Sequence, residues 1–319
     1  MKNNILTYFL TNTLFLGGGL SLIFKYANHD AYISIILGTL LGVIFLYIIH
    51  KFVINKKLSI PIKILYYIYL LSIVFIVLIT LSTFISSYYL TKTPSIISCI
   101  PLIILAIYSS KNITKISYVA IPLFVISISI IIFKSAILIT DIKLSNIYPI
   151  LSSNIYDLFK ATFIYAIFST TPSILLLNEK VEFKKSLKYY LISSILILIT
   201  TFILITTLGS LVKTLSYPEY SILRRVKLLN SIENIEGILA ITWIFDIFIT
   251  LSICSNKIKE LSNTNSNLLP FILITLIMII IYFTINTNFH NLIIIYNYHA
   301  IILPLISIVL IIFISWFEN

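Results

Sequence analysis

Two stretches decide the fold: Thr13-Leu14-Phe15-Leu16-Gly17-Gly18-Gly19-Leu20-Ser21, and Ile167-Phe168-Ser169-Thr170-Thr171-Pro172. Each interrupts a long apolar run near its middle. A helix in hydrocarbon must satisfy its own backbone, so irregular backbone at depth survives only where protein or a cavity surrounds it. The stretches fall in the first and sixth of ten apolar spans. An interruption repeated five spans later points to an inverted repeat with a binding site between its halves.

Working outward, 59% of the 319 residues are apolar, 10% are charged and the mean hydropathy is +1.07, which excludes the polar surface of a soluble protein this size. The chain reads as an all-α, multi-pass membrane protein. A span needs about 20 mostly apolar residues. Turn signals place ten, at 5–24, 31–54, 64–90, 94–110, 116–139, 158–177, 187–212, 233–256, 267–286 and 292–316. Residues 1–319 thus form a single membrane domain. The net charge of +11 is spread in short clusters between spans, with no basic patch carrying interleaved aromatics, so nucleic acid is not an expected partner. An N-in, C-in topology puts 13 of the 22 basic residues in cytoplasmic segments and most of the rest in the two longest connections, where the positive-inside rule is weak. Met1-Lys2 and the apolar run after it lack a small-residue cleavage site and are kept as a span. Cys99 and Cys254 lie in or at the end of spans and read as packing residues.

The interruptions have a chemistry. Glycine in a helix interior costs about 1 kcal/mol relative to alanine, so Gly17, Gly18 and Gly19 are the natural place for the first helix to unwind. An outer half-helix starting near Gly19, Leu20 and Ser21 would turn its N-terminal dipole and free N–H groups toward mid-membrane, an anion site. Pro172 lacks an N–H, which leaves carbonyls near Ile167 and Phe168 without helical partners. An ammonium group suits that end, and Ser169, Thr170 and Thr171 add hydroxyls for an ion or the ligand. Together the two ends fit a zwitterion, most simply a small α-amino acid. Taken singly, a glycine run also serves close helix contact, and proline kinks are common in membrane helices.

In the eighth span Glu236, Trp243, Asp246 and Thr250 fall on one helical face, with Asp246 near mid-membrane. An intramembrane carboxylate serves proton relay, ion coupling or a structural pair. Glu233 and Glu236 also suit a first helical turn after the possible caps Asn230 and Ser231. The connection before that span holds Tyr217-Pro218 and an amphipathic stretch, Tyr220 to Leu229, open to gating or ordinary loop roles. Lys134 is expected to snorkel. Tyr66, Tyr67, Tyr88, Tyr89, Tyr189 and Tyr190 are expected to anchor span edges, and His299 to be a satisfied interior histidine. No HExxH, phosphate loop or nucleophile, base and acid set occurs, so no cofactor, metal or catalytic residue is expected.

Three stretches carry a family likeness. His29-Asp30-Ala31-Tyr32-Ile33-Ser34-Ile35-Ile36-Leu37-Gly38 opens the second span; Tyr217-Pro218 precedes Arg225-Val226-Lys227; and Ile232-Glu233-Asn234-Ile235-Glu236 is followed by Trp243. In these the chain resembles the spore-germination permeases, the membrane-embedded B subunits of germinant receptors, within the amino acid, polyamine and organocation transporter superfamily. The resemblance implies the five-plus-five inverted-repeat (LeuT-like) transporter fold, with repeats at about 5–139 and 158–316 and a ligand site at the broken first and sixth helices. It implies a receptor that binds a small amino acid and signals through the other germinant-receptor subunits, in the bacterial cytoplasmic (spore inner) membrane. Asn234 stands where the family usually has arginine, and Asp246 where a small residue is usual. A transporter coupled to H+ or Na+ through Asp246 is the alternative, and a membrane enzyme or lipid-handling protein a remote third.

Overall fold

The structure is a computed structural model that describes residues 2–52, 60–90, 94–215, 217–224, 236–264, 266–284 and 289–317. Among them there are helices and no strands. The first span is α1 (Leu6–Thr13), a π-helical turn (Phe15–Gly19) and α2 (Leu20–Ala27). Four helices follow: α3 (Ala31–Phe52), α4 (Ile60–Tyr88), α5 (Ser95–Ser109) and α6 (Ile113–Leu138). The second half opens with α7 (Ile155–Thr170) and a 3₁₀ turn (Thr171–Leu176), then α8 (Phe183–Leu208), the short α9 (Pro218–Leu223), α10 (Glu236–Leu261), α11 (Leu268–Thr284) and α12 (Phe289–Phe317). All ten expected spans fold as helices, their ends within a turn or so of the sequence reading. Among the described residues seven helical stretches are long and apolar enough to cross a membrane by length and composition, joined by the shorter apolar helices Ile97–Ser109 and Leu268–Phe283. This is a multi-pass membrane protein.

Local chemistry sets several helix ends. Asn112 and Asn154 accept the N–H groups of Thr114 (3.0 Å) and Tyr156 (3.1 Å), capping α6 and α7. α8 stops at Gly209, whose φ of 58° lies in the region that favours glycine. Between α6 and α7, Leu151 also has a positive φ, 57°, a conformation costly for a bulky side chain. The buried Asp30 carboxylate holds that turn: it accepts from the N–H of Leu151 (2.7 Å), the N–H of Ser153 (2.8 Å) and the Ser153 hydroxyl (2.6 Å). The Asp30 motif thus ties the first helix pair to the start of α7.

In lipid the apolar side chains gain little from hiding, so helices associate by close packing and a few hydrogen bonds. Ser34, Gly38 and Gly42 form a small-residue stripe on α3, where a Cβ at Gly38 would come within 2.8 Å of the Thr162 carbonyl and the Tyr165 ring. That closeness lets α3 lie against α7. Outward, Ile44, Leu105, Val125, Ile195 and Ile301 are exposed, the apolar belt expected against acyl chains. Packing partners recur when each helix is exchanged for the one five spans on. α3 packs on α7 as α8 packs on α1, α4 on α12 as α10 on α6, and α5 on α10 as α11 on α4.

Candidate functional site

At the first interruption the helix does not unwind. It widens into a π turn from Phe15 to Gly19 and resumes at Leu20, so the half-helix boundary falls where expected but without a break in the path of the chain. Glycine makes this turn feasible: a Cβ on Gly19 would land on the Leu14 carbonyl oxygen, and one on Gly18 would run into the Tyr296 ring. Two hydroxyl pairs brace the region. Thr13 Oγ1 lies 2.6 Å from Thr250 Oγ1 on α10, and Thr80 Oγ1 of α4 lies 2.8 Å from the Tyr296 hydroxyl on α12. Leu20 and Ser21, at the start of α2, are buried.

The second interruption is built from side chains. α7 ends at Thr170 and tightens into the 3₁₀ turn, with Pro172 in its first positions. The Ile167 carbonyl, expected to be free, is not: it accepts the Thr171 N–H and the Thr171 hydroxyl, the latter at 2.8 Å. Ser169 and Thr170 hydroxyls donate to the Ala166 carbonyl at 3.1 and 2.7 Å, so all three hydroxyls serve the preceding turn. Helix α4 closes the far side. The Tyr69 hydroxyl donates to the Thr171 carbonyl (2.6 Å) and Tyr66 to that of Leu175 (3.2 Å). Tyr66 is therefore an interior residue and not a span-edge anchor. So is Tyr190, fully buried, whose hydroxyl donates to the Thr39 carbonyl at 3.3 Å.

Aromatic rings fill the space between the interruptions. Phe15 contacts Tyr165 (4.8 Å between centroids) and Phe168 (6.4 Å), and Phe168 contacts Tyr296 (5.7 Å). Phe15 comes from the first interruption and Phe168 from the sixth span. Pro172 offers no N–H to the Phe168 carbonyl.

Trp243, Asp246 and Thr250 all face inward from α10, at three levels. Thr250 meets Thr13. Asp246, 5% exposed, lines a cavity of about 50 Å³ with Tyr8, Asn12, Phe15, Ser127 and Lys134, and its Oδ1 has no hydrogen-bond partner. Trp243 meets Phe84 edge to face (4.6 Å between centroids) and lies tilted against Tyr217 (5.9 Å). Pro218 begins α9 just after Tyr217, and Tyr217 and Tyr220 pack on Phe84 and Tyr88. Lys134 does not snorkel; it is buried and bridges to Glu219 of α9 at 3.1 Å. An inward-facing lysine with a carboxylate at that distance needs no route to the interface. Glu236 opens α10, while Glu233 and the 225–232, Asn234 and Ile235 stretch that carries the rest of the likeness lie outside the described residues. Of the amphipathic stretch Tyr220 to Leu229, residues 220–223 belong to α9 and 225–229 lie outside the described residues.

The face that carries the N-terminus is closed by charge. Lys257, 1% exposed, donates to the Leu177 carbonyl and to Glu179 and Glu260, each at 2.7 Å, and Asn3 donates to Glu179 at 3.2 Å. Above this lock a wide depression of about 1250 Å³ opens to the surface. His299 is satisfied by the Ile295 carbonyl (3.0 Å) and stacks on Phe75. Among the described residues no three His, Cys, Asp or Glu side chains gather as for a metal.

Sequence reasoning missed Tyr8, Asn12, Ser127, Glu219, Tyr69 and Tyr296. Asn12-Thr13 was a usable signal, a polar pair in an apolar span. Tyr66 and Tyr69, three apart, share a helical face that the edge-anchor reading overlooked.

Interrupted helices that meet in the bundle interior of a multi-pass membrane protein define its class. The chain belongs to the spore germination protein family, whose family model matches residues 6–290. This is a family of permease-type germination proteins. No curated protein matches the chain.

Proposed function

We propose that the chain is the membrane-embedded, germinant-binding subunit of a spore receptor, and that its ligand is a small amino acid held between the two interruptions. The observation that carries this reading is the meeting of Phe15 and Phe168 from the two interrupted spans, across rings that include Tyr165 and Tyr296. We assign the carboxylate end to the first interruption, where the π turn of Phe15–Gly19 shifts the hydrogen-bond register ahead of Leu20 and Ser21. The ammonium group suits the Phe168 carbonyl and the faces of the surrounding rings. Because Thr171 engages the Ile167 carbonyl, the acceptor end of the site narrows to Phe168.

The exchange of packing partners between helices five spans apart supports two inverted repeats, at about 5–139 and 158–316. In this reading both termini face the cytoplasm, the membrane is the inner membrane of the spore, and the other receptor subunits receive the signal. The ion-pair lock around Lys257 and the aromatic lid of α9 are the two gates that ligand binding would bias.

A thermal-shift screen of the purified protein against the twenty amino acids and common sugars tests the proposal, since a ligand of the native state raises its stability. At least one amino acid raises the midpoint if the proposal holds. A panel without a single amino-acid hit contradicts it. Uptake of that amino acid by the chain alone in liposomes would make the protein a transporter instead of a receptor subunit.

A further inference from the structure

Four lysines from separate parts of the chain converge on the depression that opens on the N-terminal face: Lys2 ahead of α1, Lys111 in the turn between α5 and α6, Lys180 after the 3₁₀ turn of the sixth span, and Lys259 of α10. Gathering like charges in one concavity is unfavourable until an opposite charge answers them. Among the described residues no carboxylate pairs with any of the four. Lys2 Nζ sits 3.7 Å over the Tyr118 ring and Lys111 Nζ 5.1 Å from the Tyr108 ring centre, contacts that hold an ammonium without neutralising it. Lys259 is 8% exposed, and its ammonium donates to the Ser110 hydroxyl (2.8 Å), the Ile107 carbonyl (3.5 Å) and Asn267 Oδ1, all of them neutral. A buried charge held by neutral acceptors alone lacks a counter-ion. Glu179 and Glu260 do line the depression, but both are turned to Lys257 at 2.7 Å. Five ammonium groups against two carboxylates leave an excess of three positive charges.

We propose that this depression is a binding site for an anion carrying two phosphate groups, with the buried Lys259 and the exposed Lys2, Lys111 and Lys180 supplying the charge that holds it. Two phosphate groups carry about two to four negative charges, depending on their esterification, which covers the excess. The remaining lining is rich in donors. Side-chain amides such as Asn178 and Asn263 stand among the lysines, and the first turn of α6, at Ile113 and Thr114, adds the positive end of that helix's dipole. A phosphate presents three acceptor oxygens in different directions, which suits donors set around a bowl better than the two coplanar oxygens of a carboxylate. The volume of about 1250 Å³ is that of a site for an organic molecule and is far larger than inorganic phosphate needs. The phosphates therefore arrive on a carrier, either a lipid headgroup or a soluble phosphate ester, and the chemistry that recognises them is the same. None of these residues belongs to the interruptions, so the proposal stands whether or not an amino acid binds there.

The test is the thermal midpoint of the purified full chain, with EDTA present, in inorganic pyrophosphate against NaCl at matched ionic strength, and in nanodiscs of cardiolipin against phosphatidylcholine. Wild type should show a saturable rise with pyrophosphate, with cardiolipin or with both, because a ligand that binds only the native state stabilises it. A rise with pyrophosphate in detergent supports a soluble ester, and a rise confined to cardiolipin supports a lipid headgroup. Lys259→Gln should raise the half-saturating concentration by about tenfold or more, the loss of one charged hydrogen bond. Lys111→Gln, an exposed change that keeps the fold intact, should raise it by roughly threefold, the loss of a more screened charge. The amino-acid shift should stay as it is in Lys111→Gln, which keeps the two sites distinguishable. Midpoints indifferent to both phosphate sources overturn the proposal, and so does a shift that both variants retain unchanged. A shift with polyglutamate and none with either phosphate source also overturns it, and would make the depression a dock for an acidic protein segment.

Discussion

Gly19 lies so near the Leu14 carbonyl oxygen that no side chain fits, whereas Thr171 and Pro172 sit among hydroxyl donors from their own turn and from α4. The first interruption is thus set by the absence of side chains and the second by their presence. A π turn keeps the chain helical and moves one hydrogen-bond partner; a 3₁₀ turn after proline tightens the path and hands its carbonyls to Tyr66 and Tyr69. The lesson is that interruptions at matched positions, five spans apart, need not share a mechanism. The first interruption is intolerant of added volume. The second has several supports, so the loss of one is shared by the rest.

Volume should therefore give the largest effect. Gly18→Leu drives a side chain into the Tyr296 ring, and overpacking of a filled interior costs about 1–3 kcal/mol. We expect at least a tenfold loss of amino-acid response with membrane insertion intact, read as the ligand-induced thermal shift. Tyr296→Leu in the same chain should recover part of the stability, a coupling that a double-mutant cycle measures. If Gly18→Leu responds to amino acid as wild type does, the first interruption is not part of the site.

Pro172→Ala comes next. It restores an N–H that the Phe168 carbonyl can accept, so α7 should extend and the acceptor end of the site should close. Amino-acid affinity should fall several-fold in a binding titration while the melting midpoint stays level or rises. A lower midpoint with affinity preserved would reverse the assignment of Pro172 from site to scaffold.

The smallest effect belongs to Tyr69→Phe, which removes one 2.6 Å bond to the Thr171 carbonyl. Interhelical hydrogen bonds in membrane proteins average about 0.6 kcal/mol, and the ring stays in place. A midpoint drop much larger than that expectation, in a melt without ligand, would show that the second interruption depends on one support and is as brittle as the first.

The sequence alone made the ten helices legible because about 20 apolar residues between turn signals leave a chain in lipid few other choices. It also located both interruptions, since three consecutive glycines and a mid-span proline are local signals. What it could not locate was where the freed groups go. The Ile167 carbonyl finds Thr171 four residues on, and the Thr171 carbonyl finds Tyr69, 102 residues away. Lys134 shows the same limit: its neighbours in sequence are apolar and argue for snorkelling, while Glu219, 85 residues on, holds it inside. Asp246 stood out by being a carboxylate at depth, yet its cavity is assembled from Tyr8, Asn12 and Ser127, residues ordinary in their own spans.

The central claim, one ligand held by both interruptions at once, is tested most directly by hydrogen–deuterium exchange of the purified chain with and without the amino acid of largest thermal shift. The account predicts that peptides covering residues 14–21 and 167–176 gain protection together, at the same ligand concentration, and that neither does so in Gly18→Leu. Protection confined to one of the two, or arising elsewhere in the bundle while both stay unchanged, would contradict it.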